Sequence, residues 1–239
     1  MLLKRPMNSL KNKKLITIII CCYNHEKYLT RCLDSIVKQK GFKSKFDIIF
    51  VDDHSKDDSI KKAEKILPKK NSLLIKNFKN IGLVKSCNKA IKKTKTKYFI
   101  RVDSDDFISN KFIKYFEKEI HKDFDLIFCD RIEFKNSKRK IIKNKEMNIF
   151  KMISCGVALK TKKVLKLGGY KDFKWEEYDL YLRYLNNSTK IKNIKKNLYY
   201  YRKHIRSMSS NDLWQKKAWK ELEKKYSFIY LNKFGNYKG

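Results

Sequence analysis

Leu15-Ile-Thr-Ile-Ile-Ile-Cys-Cys-Tyr-Asn24 is the stretch on which the fold turns. Its first eight residues form a short, continuous, β-branched run, which predicts a strand buried on both faces of a parallel sheet. Tyr23-Asn24 ends that strand with polar groups. Downstream, Tyr28, Leu29, Cys32, Leu33, Ile36 and Val37 recur at helical spacing, and Phe46-Asp-Ile-Ile-Phe-Val51 gives a second strand. The alternation continues. Ile60, Ala63, Ile66 and Leu67 mark a helix, Ser72 to Ile75 a strand, Leu83, Val84, Cys87, Ala90 and Ile91 a helix, and Tyr98 to Val102 a fourth strand. Such an order predicts an α/β protein, a Rossmann-like and mainly parallel sheet flanked by helices, with ligands gathered beyond the carboxyl ends of the strands.

Three polar clusters fall at those ends: Tyr23-Asn24 after the first strand, Asp52-Asp53 after the second, and Asp103-Ser-Asp-Asp106 after the fourth. Three carboxylates in four residues repel one another unless a cation sits among them. Mg²⁺ and Mn²⁺ bind through one or two carboxylates and keep positions open for substrate phosphates, so this cluster predicts a metal-diphosphate site. An Asp-Ser-Asp turn capping the next helix is the other reading of the same residues. After Asp52-Asp53, Ser55 and Asp58 fit a capping box for the second helix.

Composition bounds the alternatives. The 239 residues carry 59 Lys and Arg against 25 Asp and Glu, a formal charge of +34, with 42% hydrophobic and 13% aromatic residues. That supports a globular core. A basic balance invites nucleic acid or an anionic membrane as partner, but Lys is spread along the whole chain and neither aromatic-basic RNA motifs nor zinc spacings occur, so no nucleic-acid partner is expected. Cys21, Cys22, Cys32, Cys87, Cys129 and Cys155 lie mostly in apolar runs without a Cys-x-x-Cys spacing and read as reduced thiols of a cytosolic protein. The basic segment 1–14 lacks the apolar run of a signal peptide, and nothing reaches the ~18 apolar residues of a membrane span.

Beyond the acidic cluster the pattern loosens. Phe112, Ile113, Phe116 and Ile120 form a helical stripe, Phe124 to Cys129 and Ile132 to Phe134 read as strands, and Lys138 to Lys145 reads as a basic, exposed connection. With no internal repeat and no Pro/Ser linker, one domain over residues 15–210 is expected.

The pieces Ile18-Ile-Ile-Cys-Cys-Tyr-Asn24, Phe50-Val-Asp-Asp-His-Ser55, Asn80-Ile-Gly82, Asp103-Ser-Asp-Asp106, Gly168-Gly-Tyr170, Glu176-Glu-Tyr-Asp-Leu-Tyr-Leu-Arg183 and Tyr201-Arg-Lys-His204 with Ser207 and Ser209, in that order, resemble the family 2 glycosyltransferases, inverting enzymes of the GT-A fold. The resemblance implies a nucleotide-sugar half over 15–135 and an acceptor half over 136–210. It implies that Tyr23 and Asp53 hold the base, that Asp103 serves the nucleotide, and that Asp105 and Asp106 with His204 hold Mn²⁺ or Mg²⁺. Arg202 would contact the diphosphate, as suits a guanidinium, and Lys85 would lie near the nucleotide. Glu177 would be the catalytic base, in a place where the family most often has Asp, and Asp179 would orient its neighbours. Cys21-Cys22 stands where most members have Pro-Thr or Pro-Ser. The implied donor is a nucleotide-sugar, a uridine diphosphate sugar first of all. The implied acceptor is a saccharide or a lipid-linked glycan at the cytoplasmic membrane face.

In the segment 211–239, Trp214, Ala218, Leu222, Tyr226 and Ile229 share one helical stripe amid lysines. A basic amphipathic helix of this kind lies on an anionic membrane as a peripheral contact or packs its stripe on the domain, and the sequence leaves both open. Two other functions stay in view. A sugar-nucleotidyltransferase also wants carboxylates, a metal and a diphosphate, but it needs a Gly-rich phosphate loop where this chain has Cys21-Cys22-Tyr23-Asn24. A non-catalytic basic binding module would leave the carboxylates without a purpose.

Overall fold

Strand β1 (Ile16–Cys22) lies parallel between β2 (Phe46–Asp52) and β4 (Tyr98–Arg101), with β3 (Ser72–Lys76) parallel beyond β2. These assignments come from a computed structural model that describes residues 14–144, 148–185, 188–204 and 212–235. The uninterrupted apolar run is explained by the two faces of β1. Ile16, Ile18 and Ile20 pack with Leu29, Cys32, Leu33 and Ile36 of α1 (Glu26–Val37) and Ala63 of α2 (Ser59–Ile66). Ile19, with Ile49 and Val51 of β2, packs on the opposite face against Cys87, Ala90 and Ile91 of α3 (Leu83–Lys93). Each fully buried Leu or Ile here contributes about 1.5–3 kcal/mol, and the one polar side chain of the strand, the buried Thr17, is satisfied by Thr96 Oγ1 at 2.7 Å.

After Asp106 come β5 (Phe107–Ile108), α4 (Phe112–Ile120), β6 (Leu126–Lys135), β7 (Lys138–Ile142), a single 3-10 turn at Ile149–Lys151, β8 (Ala158–Lys160), α5 (Thr161–Lys166), α6 (Glu176–Tyr184), β9 (Ile191–Arg202), α7 (Asp212–Tyr226) and α8 (Phe228–Asn232). Among the described residues the strands form one sheet in the order β3-β2-β1-β4-β8-β6-β9-β5, with β7 on β6. The parallel order of the first half turns mixed at β8, which is antiparallel to both β4 and β6.

Two expectations change here. The separate strands foreseen at 124–129 and 132–134 are one strand, β6, whose register against β9 shifts around Asp130. A bulge interrupts the alternation that a sequence reading depends on. The foreseen connection from Lys138 is exposed, but its first five residues form β7, an edge strand paired with β6 through a turn at Asn136 (φ 53°). Lysines along that edge discourage pairing with another chain.

The carboxyl-terminal segment also differs from the single amphipathic helix expected. Ser227 (φ 58°) breaks it into α7 and α8, and Ala218, Leu222 and Leu231 are fully buried against the face that carries α3 and α6. Ile229 alone of the stripe residues points out, at 78% exposure. Among the described residues no helix is long and apolar enough to cross a membrane.

Candidate active site

The carboxyl ends of β1, β2 and β4 converge as expected, and the loops leaving them are tied to one another. Asn24 adopts a left-handed backbone (φ 54°), its N–H donates to Ser55 Oγ (3.0 Å) and its Oδ1 accepts from Lys56 N (2.7 Å). Ser55 N–H in turn donates to Asp52 Oδ2 (3.1 Å). Ser55 therefore braces the loops instead of capping α2, and Asp58 makes no capping bond. Asp57 accepts from Ser59 N (3.0 Å) and from Glu26 N at the start of α1 (2.9 Å).

Asp53 is buried and accepts three hydrogen bonds: from Ile81 N (2.9 Å) and Asn77 Nδ2 (2.9 Å) on Oδ1, and from Gly82 N (2.8 Å) on Oδ2. It thereby pins the Asn80-Ile-Gly82 loop, in which Gly82 takes a positive φ of 84° that disfavours any side chain. Tyr23, Asp53, Asn80, Asp103, Asp105 and His204 together line a cleft of about 400 Å³. Lys85 faces a neighbouring cleft of about 410 Å³ with Lys174 and Trp214.

In the acidic loop the three carboxylates have three different environments. Asp103 receives Arg101 Nε at 2.7 Å and Nη2 at 3.3 Å; burial pushes its carboxyl up, but the guanidinium outweighs it and holds the group below the usual range. Asp105 reaches His204 Nε2 through Oδ2 at 2.9 Å on the cleft wall. Asp106 is buried, with Oδ2 accepting from Tyr199 Oη (2.8 Å) and Oδ1 from Arg202 N (2.7 Å); burial, then the charges of Asp105 and Asp103, push it well above the usual range. Arg202 turns its guanidinium onto the rings of Tyr28 (4.7 Å) and Phe134 (4.6 Å), with Nε donating to Asp105 O (2.8 Å). His204 stacks on Tyr28 with ring centroids 5.5 Å apart. Ser207 and Ser209 lie outside the described residues.

The donor atoms of this loop fit a divalent cation at Asp105 and His204, where a carboxylate oxygen and an imidazole nitrogen already meet on the cleft wall. An O,N set suits Mn²⁺, and the carboxylates alone suit Mg²⁺. Asp103, Asp106 and Cys155 also bring ligand atoms within 4.8 Å of one another. That second group is a poor match: the Cys155 thiol is held protonated by burial, and sulfur is too soft a ligand for these ions.

On the other side, Gly168 and Gly169 take φ values of 75° and 71°, and a Cβ on Gly169 would lie 2.2 Å from Asn88 Oδ1. Asn88 clamps the following residue at both ends, accepting from Tyr170 N (2.9 Å) and donating to Tyr170 O (2.8 Å). This sets the approach to α6. Glu176 is buried and accepts from Arg101 Nη1 (2.9 Å). Glu177 lines a separate cleft of about 270 Å³ with Tyr201, Lys203 and Trp214. It makes no hydrogen bond or ion pair with another described residue, and burial together with the Glu176 charge raises its carboxyl well above the usual range. Asp179, fully buried, joins Arg183 (2.7 Å), Lys225 and Tyr226 Oη (2.6 Å), which anchors α7 to α6.

The two clefts share Arg101, Asp103 and Tyr201. Of these the sequence pointed to Asp103, and to Tyr201 only as the first residue of the Tyr201-Arg-Lys-His204 piece. Arg101 had a signal, a lone charge inside the apolar run Tyr98 to Val102. His25, which lines the first cleft and bonds Ser104 Oγ through Nδ1 (2.7 Å), and Trp214, on the wall of the second, had none that separates them from ordinary turn and helix residues.

A family model for glycosyl transferase family 2 matches residues 17–225. The chain is 36% identical over 115 residues to the poly(ribitol-phosphate) beta-N-acetylglucosaminyltransferase TarS of Staphylococcus aureus, covering 46% of this chain and 20% of that protein. This chain thus matches about a fifth of that relative's length. An uncharacterized glycosyltransferase of Methanocaldococcus jannaschii is 30% identical over 214 residues, covering 80% of this chain and 71% of the relative. Among solved structures, S. aureus TarS 1–349 in complex with UDP-GlcNAc superposes with a TM-score of 0.75 at 22% identity, over 92% of this chain and 71% of that one. The likeness bears out the GT-A-like α/β fold.

Proposed function

The chain belongs to glycosyl transferase family 2, and from that premise we propose that it moves a sugar from a nucleotide-sugar, a uridine diphosphate sugar, onto a hydroxyl of a saccharide or lipid-linked acceptor with inversion at the anomeric carbon. The observation that carries this reading is the pair of adjoining clefts. One is lined by acidic and imidazole groups suited to a metal-bound diphosphate, the other holds a carboxylate of raised basicity that pairs with no other described residue, and they meet at Arg101, Asp103 and Tyr201. Direct displacement needs a leaving group on one side of the reacting carbon and a base-activated nucleophile on the other.

In this reading the first cleft takes the donor, with Tyr23 against the base, Asp53 holding the loop beneath it and Asp103 facing the ribose. Glu177 accepts the proton of the acceptor hydroxyl as its oxygen bonds to the anomeric carbon, and the bond to the diphosphate breaks with its electron pair leaving on phosphate oxygen. Asp105 and His204 would hold a Mn²⁺ or Mg²⁺ ion, which supplies the positive charge that stabilises the departing diphosphate. Asp106, with both oxygens taken by Tyr199 and Arg202, would fix the loop from beneath. Arg202 is placed to hold the Asp105 backbone and to approach the diphosphate only by leaving the Tyr28 and Phe134 rings.

A panel of nucleotide-sugars measured for thermal stabilisation and hydrolysis, with Mn²⁺ and with EDTA, tests the reading. A ligand bound only by the folded state raises apparent stability by RT ln(1 + [L]/Kd). Uridine diphosphate sugars should stabilise and turn over with the metal present. A protein indifferent to all of them would sink the proposal.

A further inference from the structure

Resting on the glycosyl-transfer reading above, we propose that Arg101 is a positioning residue: through Glu176 its guanidinium fixes the first turn of α6 against the donor cleft and leaves Glu177, unpaired among the described residues, as the carboxylate that receives the acceptor proton. Arg101 is 5% exposed and spends its donors on three separate parts of the chain. Nε and Nη2 hold Asp103, Nη1 holds Ser154 Oγ at 2.8 Å, and the same Nη1 holds Glu176 Oε1 at 2.9 Å. A planar fork can serve three directions at once, whereas the ammonium of a lysine is a single point charge.

The charges around Glu177 show why one carboxylate is left over. Facing it are Arg101 and Asp103 from β4 and the loop that follows, Arg131 and Glu133 from β6, Cys155, Tyr201 and Lys203 at the end of β9, and Glu176, Tyr178 and Tyr181 on its own helix. Glu133 is held by both Arg131 (2.7 Å) and Lys203 (2.7 Å). Arg101 is held by both Asp103 and Glu176. Among the described residues every cation lining the cleft, Arg101, Arg131 and Lys203, is thus engaged with a carboxylate other than Glu177. Were Arg101 to swing from Glu176 to Glu177, the base would be neutralised and its neighbour freed, so the choice between two adjacent acids is made by where Nη1 points.

Side-chain ¹³C titration of the glutamate carboxyls tests this without substrate, the Glu177 signal being assigned with Glu177→Gln. Glu176→Gln keeps the hydrogen bond to Arg101 but removes a negative neighbour, so the Glu177 midpoint should fall by ~0.5–1 pH unit; Arg101→Met removes a positive neighbour, so it should rise by a similar amount. Arg101→Lys keeps the charge and should leave the midpoint in place while lowering kcat more than donor KM. A role confined to bracing the fold would leave kcat and donor KM of Arg101→Lys unchanged, and an unmoved Glu177 midpoint in Glu176→Gln overturns the proposal even if Arg101→Met does not fold. Should the midpoints move as stated while wild-type protein transfers no sugar, the positioning role stands and the proposed reaction fails.

Discussion

The strands up to Asp106 and the chain after it build their halves of the site in different ways. In the first, each polar cluster directly follows the strand that aims it, and the loops lock through neighbours such as Asn24 with Ser55 and Lys56. In the second, Glu177, Tyr201, Lys203 and Trp214 come from three distant segments and share one cleft only because β6 pairs with β9 and Asp179 ties α6 to α7. A site read from strand ends is local. A site assembled by pairing and packing depends on the whole fold, so the two halves should fail differently when disturbed.

The largest expected effect tests whether the second half holds the chemistry. Glu177→Gln keeps size and polarity but removes the proposed base, so turnover should fall by roughly 10²- to 10⁴-fold with donor affinity unchanged. Glu176→Gln should be much milder. Steady-state kinetics on both variants decide the matter, and the reverse ranking would move the base by one residue. The raised carboxyl of Glu177 adds a pH signature: a base must be ionised to work, so kcat should fall on acidification from a point above the ordinary glutamate range.

Next in size is the test of assembly by packing. Leu222 is fully buried and Ile229 is 78% exposed on what the sequence shows as one stripe. Leu222→Ala should cost about 2–5 kcal/mol in denaturant unfolding, and Ile229→Ala less than about 0.5 kcal/mol. If instead both were neutral to stability and both weakened binding to anionic liposomes at ~0.15 M salt, the segment would be a membrane contact and not part of the cleft wall.

Legibility followed the same divide. β1 to β4 and α1 to α3 were readable because a doubly buried parallel strand gives an unbroken apolar run and its flanking helix a single apolar stripe. That polar clusters gather at those strand ends was readable for the same reason. β7 was not, because an edge strand of Lys and Arg has no buried face to leave a pattern, and β6 was split by its bulge. The role of Ser55 was misread because a capping box and a loop brace use the same residue types. Arg101 was visible as an anomaly but not as a hub, since which acids a buried guanidinium meets depends on Ser154 and Glu176, more than fifty positions away.

A smaller effect separates the donor half from the base. Asp105→Ala, or EDTA with the intact protein, should weaken UDP binding by about tenfold or more, because a diphosphate cannot lie beside a carboxylate without a cation between them. Calorimetry with and without chelator is the measurement. Equal affinity in both conditions would remove the metal from the site and leave the Asp105–His204 contact as a plain hydrogen bond closing β9 onto the loop.

The smallest effect bears on whether the first half is as local as it looks. Asn24 contributes in two ways: its amide carbonyl takes the Lys56 N–H, and its backbone sits at φ 54°. Asn24→Gly removes only the first and should cost about 0.5–1.5 kcal/mol, the range of a single hydrogen bond. Asn24→Ala removes both and should cost about 1 kcal/mol more, since a Cβ opposes the left-handed region. Because the lock lies between the β1 and β2 loops, the damage should appear in donor KM and leave the Glu177 cleft untouched, so kcat at saturating donor should hold. A fall in kcat matching the rise in KM would mean that the loop disturbance travels through Asp103 and Arg101 into α6, and the two halves would then be one unit.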